Sequence, residues 1–228
     1  MNFKKQIPNL FTLGNLYCGY LSIGYTASNH YKNAAIFILI GMLLDSIDGR
    51  IARLLHVESP LGKELDSLAD IITFGVAPSF LMYYTMLFDL GWIGLAISGL
   101  FPLFGAYRLA RYNITAKEES LYHFTGIPIT IAGGILATLI LFREDIPSTF
   151  TMVIFILLCF LMVSTIQIPS LKKVRLPRNE TIVTILIGMM LFMNHARSWR
   201  VFTSLLYIVI PLYLIYMTYR LIKIKASR

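Results

Sequence analysis

Four aspartates in the first third of the chain have the residue type and the spacing of a metal site. Asp45 and Asp48 are three residues apart, and Asp66 and Asp70 are four apart. Residues at these spacings share one face of a helix, so each pair projects to one side. Four bare carboxylates brought together repel one another, and divalent cations bound between them would remove that repulsion. Oxygen-only ligands favour Mg²⁺, Mn²⁺ or Ca²⁺ over zinc or copper.

The residues that follow Asp48 on the same helix face suit a phosphorylated substrate. Gly49 and Ala52 have almost no side chain, so a bulky planar group could approach the backbone there. Arg53 is a natural donor to phosphate oxygens, and Ser59 could add a hydroxyl. Because Mg²⁺ usually completes its coordination shell with substrate phosphates, we expect a diphosphate-containing substrate. The alternative is that the carboxylates form salt bridges with basic residues at a helix end. The residues available for this are Arg50, Arg53 and Lys63.

The segments around these aspartates are apolar enough to cross a membrane. Of the 228 residues, 57% are hydrophobic and 14% are charged, whereas soluble domains carry about 25% charged residues. A helical span needs roughly 20 mostly apolar residues. The sequence therefore predicts an all-α, polytopic transmembrane bundle of about eight spans in a single membrane-embedded domain, 1–228. The spans are 8–28, 33–55, 65–88, 91–112, 126–142, 148–167, 181–195 and 202–221.

The basic residues predict the orientation of this bundle. If the N-terminus, alternate loops and the C-terminus are cytoplasmic, that side holds sixteen of the 20 Lys and Arg residues. Such a positive-inside bias predicts cytoplasmic termini and aspartates near the cytoplasmic face. It also accounts for the net charge of +8 without a nucleic-acid partner. The basic segments 172–178 and 220–228 are either topology signals or sites for anionic headgroups. The start of the chain resembles a signal peptide but lacks a small-residue cleavage site, so we expect a retained first helix.

A pattern over 26 residues resembles the complete signature of the CDP-alcohol phosphotransferases. Its eight positions are Asp45, Asp48, Gly49, Ala52, Arg53, Gly62, Asp66 and Asp70. The resemblance implies a membrane enzyme that transfers a phosphoryl-alcohol unit from a CDP-alcohol to a second alcohol and releases CMP. It also implies a homodimer with a six-helix catalytic core, here 8–167, and leaves two additional spans and a basic tail in 168–228.

Further segments resemble one branch of that family, the bacterial and archaeal phosphatidylserine synthases. They are 8–16, 64–78, 107–113 and 124–128. The implied substrates are CDP-diacylglycerol and L-serine at the cytoplasmic membrane, and the implied cofactors are two divalent cations, Mg²⁺ or Mn²⁺. Two alternatives remain open. The same chemistry could use glycerol 3-phosphate, inositol phosphate or another alcohol as acceptor, or the buried aspartates could belong to a cation transporter. Transporters commonly have repeated halves, and we find no internal repeat.

The resemblance also divides the roles of the residues. All four aspartates would be metal ligands, and Asp70 would also be the general base for the serine hydroxyl. Residues expected in the CDP-diacylglycerol pocket are Thr12, Asn15, Gly49, Ala52, Arg53, Ser59 and Gly62. The serine carboxylate needs a cation, and Arg108 and Arg111 lie three residues apart on one helix face, with Asn113 as a further donor. The alternatives for these arginines are anchoring at the headgroups or holding the lipid phosphate.

Overall fold

The computed structural model describes residues 3–57, 59–114, 123–164 and 167–169, all within a compact unit that ends at Arg175. Helices account for most of these residues: α1 (Phe3–Ala27), α2 (Tyr31–Leu54), α3 (Pro60–Asp70), α4 (Ala77–Met82), α5 (Gly91–Ile114), α6 (Ile129–Leu141) and α7 (Ser148–Val163). Two π-helical segments, Ile71–Val76 and Tyr83–Leu87, and a 3-10 turn, Phe88–Leu90, join α3, α4 and α5. Two short strands, β1 (His123–Thr125) and β2 (Gln167–Pro169), pair antiparallel.

The helical character predicted from the sequence is confirmed, because helices occupy the first six predicted spans. The last two, 181–195 and 202–221, lie outside the described residues. By length and composition, one continuous helical stretch among the described residues, Pro60–Ile114, is long and apolar enough to cross a membrane. Gly91, with φ of 54°, divides it into two arms. The number of spans and the orientation of the termini stay predictions. The strand pair was not predicted, since three-residue segments have no readable periodicity.

The turn between α2 and α3 explains where α3 begins. Ser59 is its N-cap, and the Ser59 hydroxyl accepts a hydrogen bond from the Gly62 backbone N–H at 3.0 Å. Pro60 occupies the first helical position, where its missing N–H costs nothing. His56, with φ of 50°, turns the chain after α2. These local signals place Asp66 and Asp70 at a fixed distance along α3 from its capped start.

The helix widens immediately after Asp70. In the π-helical segment Ile71–Val76, the Ala77 backbone N–H donates to the Ile72 carbonyl, five residues back. Pro78 follows, and in a regular α-helix its ring would clash with the carbonyl four residues earlier. The wider turn relieves that clash. Such π-bulges often occur at functional sites, and this one sets the direction in which the chain leaves the aspartates.

Glycines allow the backbones to approach closely below the aspartates. A Cβ on Gly19 of α1 would lie 2.6 Å from Thr73 Oγ1, and one on Gly41 of α2 would lie 2.6 Å from Thr73 Cγ2. A Cβ on Gly133 of α6 would lie 2.5 Å from the Phe74 carbonyl oxygen. Small residues are the usual means by which membrane helices pack tightly. We call the four small residues, Gly19, Gly41, Thr73 and Gly133, the small-residue layer.

The helices α2 and α3 meet through their aspartate side chains more than through their backbones. Close backbone approaches link α1 to both helices, whereas α2 and α3 have few such approaches with each other. Their aspartates nevertheless meet, so the two helices face each other across their carboxylates.

Candidate active site

The carboxylates converge where α2 faces α3. One oxygen from each of Asp45, Asp48 and Asp66 lies within 4.8 Å of the others. The charge of Asp70 interacts with those of all three. Asp48 is 5% exposed and Asp70 is 7% exposed. The structure thus brings the four sequence-predicted metal ligands together, with Asp70 at the edge of a cluster of three.

The donor set of this cluster fits a divalent cation. Asp66 Oδ1 and Asp70 Oδ1 are buried and have no hydrogen-bond partner among the described residues. Leaving a buried acceptor unpaired costs about 1–3 kcal/mol, and more when it is charged. Oxygen ligands lie roughly 2.0–2.6 Å from Mg²⁺ or Ca²⁺, so opposite ligands of one ion are about 4–5 Å apart. The three clustered aspartates could therefore hold a divalent metal ion.

Thr12 on α1 contacts one of these carboxylates directly. Its hydroxyl lies 2.7 Å from Asp48 Oδ2, to which it donates, and 3.2 Å from the Pro8 carbonyl. Thr12 is 4% exposed. Groups that hydrogen-bond a metal-binding carboxylate fix its orientation. Thr12, expected in the pocket for CDP-diacylglycerol, thus lies behind a candidate metal ligand.

Gly49 and Arg53 lie together on α2. A Cβ on Gly49 would be 3.6 Å from Arg53 Nη1, so the exposed guanidinium group lies beside Gly49. The charge of Arg53 also acts on Asp48. Ala52 is half-buried on the same helix. These residues offer a cation and an open backbone beside the carboxylates, which is the arrangement expected for a phosphate site.

The other expected pocket residues have protein contacts of different kinds. Ser59 caps α3, and a Cβ on Gly62 would lie 3.2 Å from both Ser59 Oγ and Asn9 Oδ1. Asn15 is completely buried below Thr12, and neither of its side-chain polar atoms has a partner among the described residues. Ser59 and Gly62 therefore shape the start of α3, while Asn15 is the polar residue beneath the site.

The three residues predicted to bind serine have different contacts in the structure. Arg108 is 6% exposed and its charge interacts with Asp70. Its Nε has no hydrogen-bond partner among the described residues, and its guanidinium carbon lies 5.6 Å from the centre of the Tyr112 ring. Arg108 is therefore the buried cation that faces the carboxylates.

Arg111 and Asn113 have protein partners instead. Arg111 Nη1 and Nη2 donate to the carbonyls of Val163 and Ser164, each at 3.2 Å. These carbonyls end α7, where a positive charge complements the helix dipole. Asn113 Nδ2 donates to Ser67 Oγ at 3.0 Å. Sequence reasoning missed Ser67, although its position between Asp66 and Asp70 on one helix was a usable signal.

Comparison with known proteins agrees with this geometry. The family model described as CDP-alcohol phosphatidyltransferase matches residues 5–167. A CDP-diacylglycerol–serine O-phosphatidyltransferase of Helicobacter pylori is 38% identical over 204 residues, which cover 87% of this chain and 86% of the relative. The enzyme of that name from Bacillus subtilis is 39% identical, over 74% of this chain and 93% of the relative.

An archaeal relative extends the similarity. The archaetidylserine synthase of Methanothermobacter thermautotrophicus is 34% identical over 179 residues, which cover 74% of each chain. The matched residues 5–167 contain the four aspartates, the residues around Arg53 and the buried Arg108. On both grounds, the chain belongs to the CDP-alcohol phosphatidyltransferase family.

Proposed function

We propose that this chain transfers the phosphatidyl group of CDP-diacylglycerol to the hydroxyl of L-serine, giving phosphatidylserine and CMP. Family membership and the names of the relatives support this activity. The observation that carries it is the pairing of the carboxylate cluster with Arg108, a buried cation whose charge interacts with that of Asp70. Because the chain belongs to this family, the alternative of a cation transporter has no support.

The donor would be held at its diphosphate. Asp45, Asp48 and Asp66, together with Asp70, would hold two divalent cations, Mg²⁺ or Mn²⁺. When bound, these ions would neutralise the negative charge of the diphosphate and of the leaving CMP. Arg53 donates to the phosphate oxygens, and small residues on α2 leave the backbone open to the cytidine. The acyl chains remain in the bilayer. The other pocket residues are Thr12, Asn15, Gly49, Ala52, Ser59 and Gly62.

Asp70 acts as the general base. Its carboxylate accepts the proton of the serine hydroxyl, since a neutral hydroxyl is a poor nucleophile and a positioned base is needed. The serine oxygen then forms a bond to the β-phosphorus of CDP-diacylglycerol, in line with the bond that breaks. The electron pair of that bond leaves with CMP.

Arg108 selects the acceptor. A buried guanidinium group with an unpartnered Nε is suited to a carboxylate such as that of serine. A phosphorylated acceptor would need more cations, and the neighbouring Arg111 is hydrogen-bonded to the end of α7. This difference favours serine over glycerol 3-phosphate or inositol phosphate. Arg111 and Asn113 would support the serine side of the site through their hydrogen bonds to the end of α7 and to α3.

The enzyme would work in the cell membrane. We propose a multi-pass bundle with both termini and the active site on the cytoplasmic side, because this orientation places sixteen of the 20 Lys and Arg residues there. The catalytic core would be the six helices of 8–167, and 168–228 would add two spans and a basic tail. A homodimer in the bilayer is the proposed assembly.

One assay tests this function. The purified chain, in mixed micelles with CDP-diacylglycerol and Mg²⁺ or Mn²⁺, would be given L-serine, glycerol 3-phosphate, inositol phosphate or no acceptor, while CMP release is followed. We expect CMP only with L-serine, together with a lipid product that carries the serine. CMP release with a different alcohol would mean that this alcohol, and not serine, is the acceptor. No CMP release with any of them would overturn the proposed function. Arg108→Ala should raise the serine KM much more than the KM for CDP-diacylglycerol.

A further inference from the structure

Asn113, in the last turn of α5, is tied to α3 by two hydrogen bonds. Its Nδ2 donates to Ser67 Oγ at 3.0 Å, and its backbone carbonyl accepts from Lys63 Nζ at 3.4 Å. The Ser67 hydroxyl in turn lies 3.2 Å from the Lys63 carbonyl, to which it donates. Ser67 is therefore held by its own helix and by α5 together. It lies between Asp66 and Asp70 in the chain.

We propose that the hydrogen bond between Ser67 and Asn113 sets the position of Arg108 relative to Asp70, and that neither residue touches serine. Both would be positioning residues for the acceptor. This inference rests on the proposed function, because it concerns the same site. It gives Asn113 a role different from that of a direct serine ligand, and it adds Ser67 to the residues that matter for the reaction.

The packing of α5 explains why such a tie is needed. Close backbone approaches join α5 to the π-helical segment Ile71–Val76, but few join it to α3 itself. Side-by-side packing therefore does not fix the separation between the aspartate helix and the end of α5. The Ser67–Asn113 bond spans that separation. Arg108 precedes Asn113 by five residues, about one and a half helical turns, so a shift at Asn113 moves Arg108 as well.

The burial of Arg108 makes its position sensitive to such a shift. The side chain is 6% exposed, and it interacts with the charge of Asp70 and with the Tyr112 ring. A buried guanidinium group recognises a carboxylate through hydrogen bonds of defined direction. A small displacement of α5 would therefore weaken acceptor binding, while the diphosphate site on α2 would keep its geometry.

A double-mutant cycle on the full-length chain tests the inference. Asn113→Ala, Ser67→Ala and the double variant would be compared for the KM of serine, the KM of CDP-diacylglycerol and kcat. Each single variant should lower kcat/KM for serine about fivefold, the effect of one net hydrogen bond of about 1 kcal/mol. The double variant should be no worse than either. Ser67→Thr keeps the hydroxyl and should restore near-normal values.

Ser46→Ala is the matched control. Ser46 follows Asp45 as Ser67 follows Asp66, but its hydroxyl donates within its own helix, to the Met42 carbonyl at 2.9 Å. It should change neither KM. An unchanged KM for CDP-diacylglycerol in all variants would also show that the site is folded.

Three results would overturn the inference. If Asn113→Ala raises the serine KM while Ser67→Ala is silent, Asn113 binds the acceptor directly. If both are silent, the bond has no role in catalysis. If both KM values and the thermal stability change in parallel, the bond is merely structural. Should the wild-type chain release CMP with an alcohol other than serine, the cycle is measured with that alcohol, so that the two proposals fail separately.

Discussion

The carboxylate cluster and the small-residue layer lie next to each other along the same helices but are built in opposite ways. At the cluster, α2 and α3 stay apart, and two carboxylate oxygens have no hydrogen-bond partner among the described residues. In the small-residue layer, glycines bring backbones so close that an added Cβ would overlap its neighbours. The Thr73 hydroxyl there donates to the Asn15 carbonyl at 2.9 Å.

The difference shows how a membrane helix bundle can hold charges that do not satisfy one another. Unpaired buried charges cost free energy, so the cluster cannot maintain its own geometry. The layer beneath it fixes the backbones, and the side chains then point into a site of set dimensions. Precise functional groups on rigid elements need this kind of support. Variants in the cluster should therefore affect chemistry, and variants in the layer should affect stability.

The largest effect is expected for Asp70→Asn. The amide keeps the shape of the side chain but cannot accept the hydroxyl proton, so kcat should fall by about 10²–10⁴-fold, the usual contribution of a general base. The KM for CDP-diacylglycerol should change little. Steady-state CMP release measures both, and Asp89→Asn, at an exposed position, is the control. Retention of more than a tenth of wild-type kcat would contradict the role of Asp70.

Asp45→Asn should abolish the response to divalent cations. A ligand that binds only the folded protein stabilises it by about 2.7 kcal/mol at one hundred times its Kd. Adding Mn²⁺ or Mg²⁺ after chelation should therefore raise the Tm of the wild-type chain in detergent. The same addition should leave the Tm of Asp45→Asn unchanged, whereas Asp89→Asn should respond as the wild type does. Equal shifts in wild type and Asp45→Asn would place the metal elsewhere.

Much of the cluster could be predicted from sequence because helical spacing is a local property. Asp45 with Asp48, and Asp66 with Asp70, share faces on any α-helix. Ser59 was predicted only as a pocket residue, and its role as the N-cap of α3 was not predicted. What joins the two pairs was not readable: the gap between α2 and α3, and the contact of Thr12 with Asp48, depend on how α1 packs against both helices.

Less of the acceptor side of the site could be predicted from the sequence. The spacing of Arg108 and Arg111 predicted one shared face, yet their contacts differ, because Arg111 reaches the end of α7, about fifty residues further along the chain. The π-helical turn after Asp70 was not predicted either. Its cause, Pro78, lies in a segment that otherwise has the composition of an ordinary span. Long-range hydrogen bonds and local widening leave no periodic signal in a single sequence.

A medium effect is expected for Thr12→Val, which keeps the shape of the side chain and removes the bond to Asp48. Hydrogen bonds to charged groups contribute about 1.5–3 kcal/mol. The divalent cation concentration for half-maximal activity should therefore rise about tenfold or more, and the Tm shift caused by the cation should shrink. Thr12→Ser retains the hydroxyl and should behave like the wild type. If Thr12→Val raises only the KM for CDP-diacylglycerol, Thr12 contacts that substrate instead.

The smallest effect on catalysis, and a clear effect on stability, is expected for Gly133→Ala in the small-residue layer. Its Cβ would lie 2.5 Å from the Phe74 carbonyl oxygen and 2.8 Å from Phe74 Cα. Both are backbone atoms, so α6 must move, at a cost of about 1–3 kcal/mol. Gly24→Ala is the matched control, because nothing lies within 4 Å of its added Cβ. There alanine should be neutral or stabilise α1 by up to about 1 kcal/mol.

Thermal unfolding in detergent should show a lower Tm for Gly133→Ala and an unchanged or higher Tm for Gly24→Ala. The serine and CDP-diacylglycerol KM values of the folded fraction should stay close to wild type in both. The separation between layer and cluster predicts this outcome, because the glycines of α6 closely approach Phe74 and Met42 of α2. A changed serine KM at normal Tm would mean that the small-residue layer sets the geometry of the site directly and does more than hold the helices together.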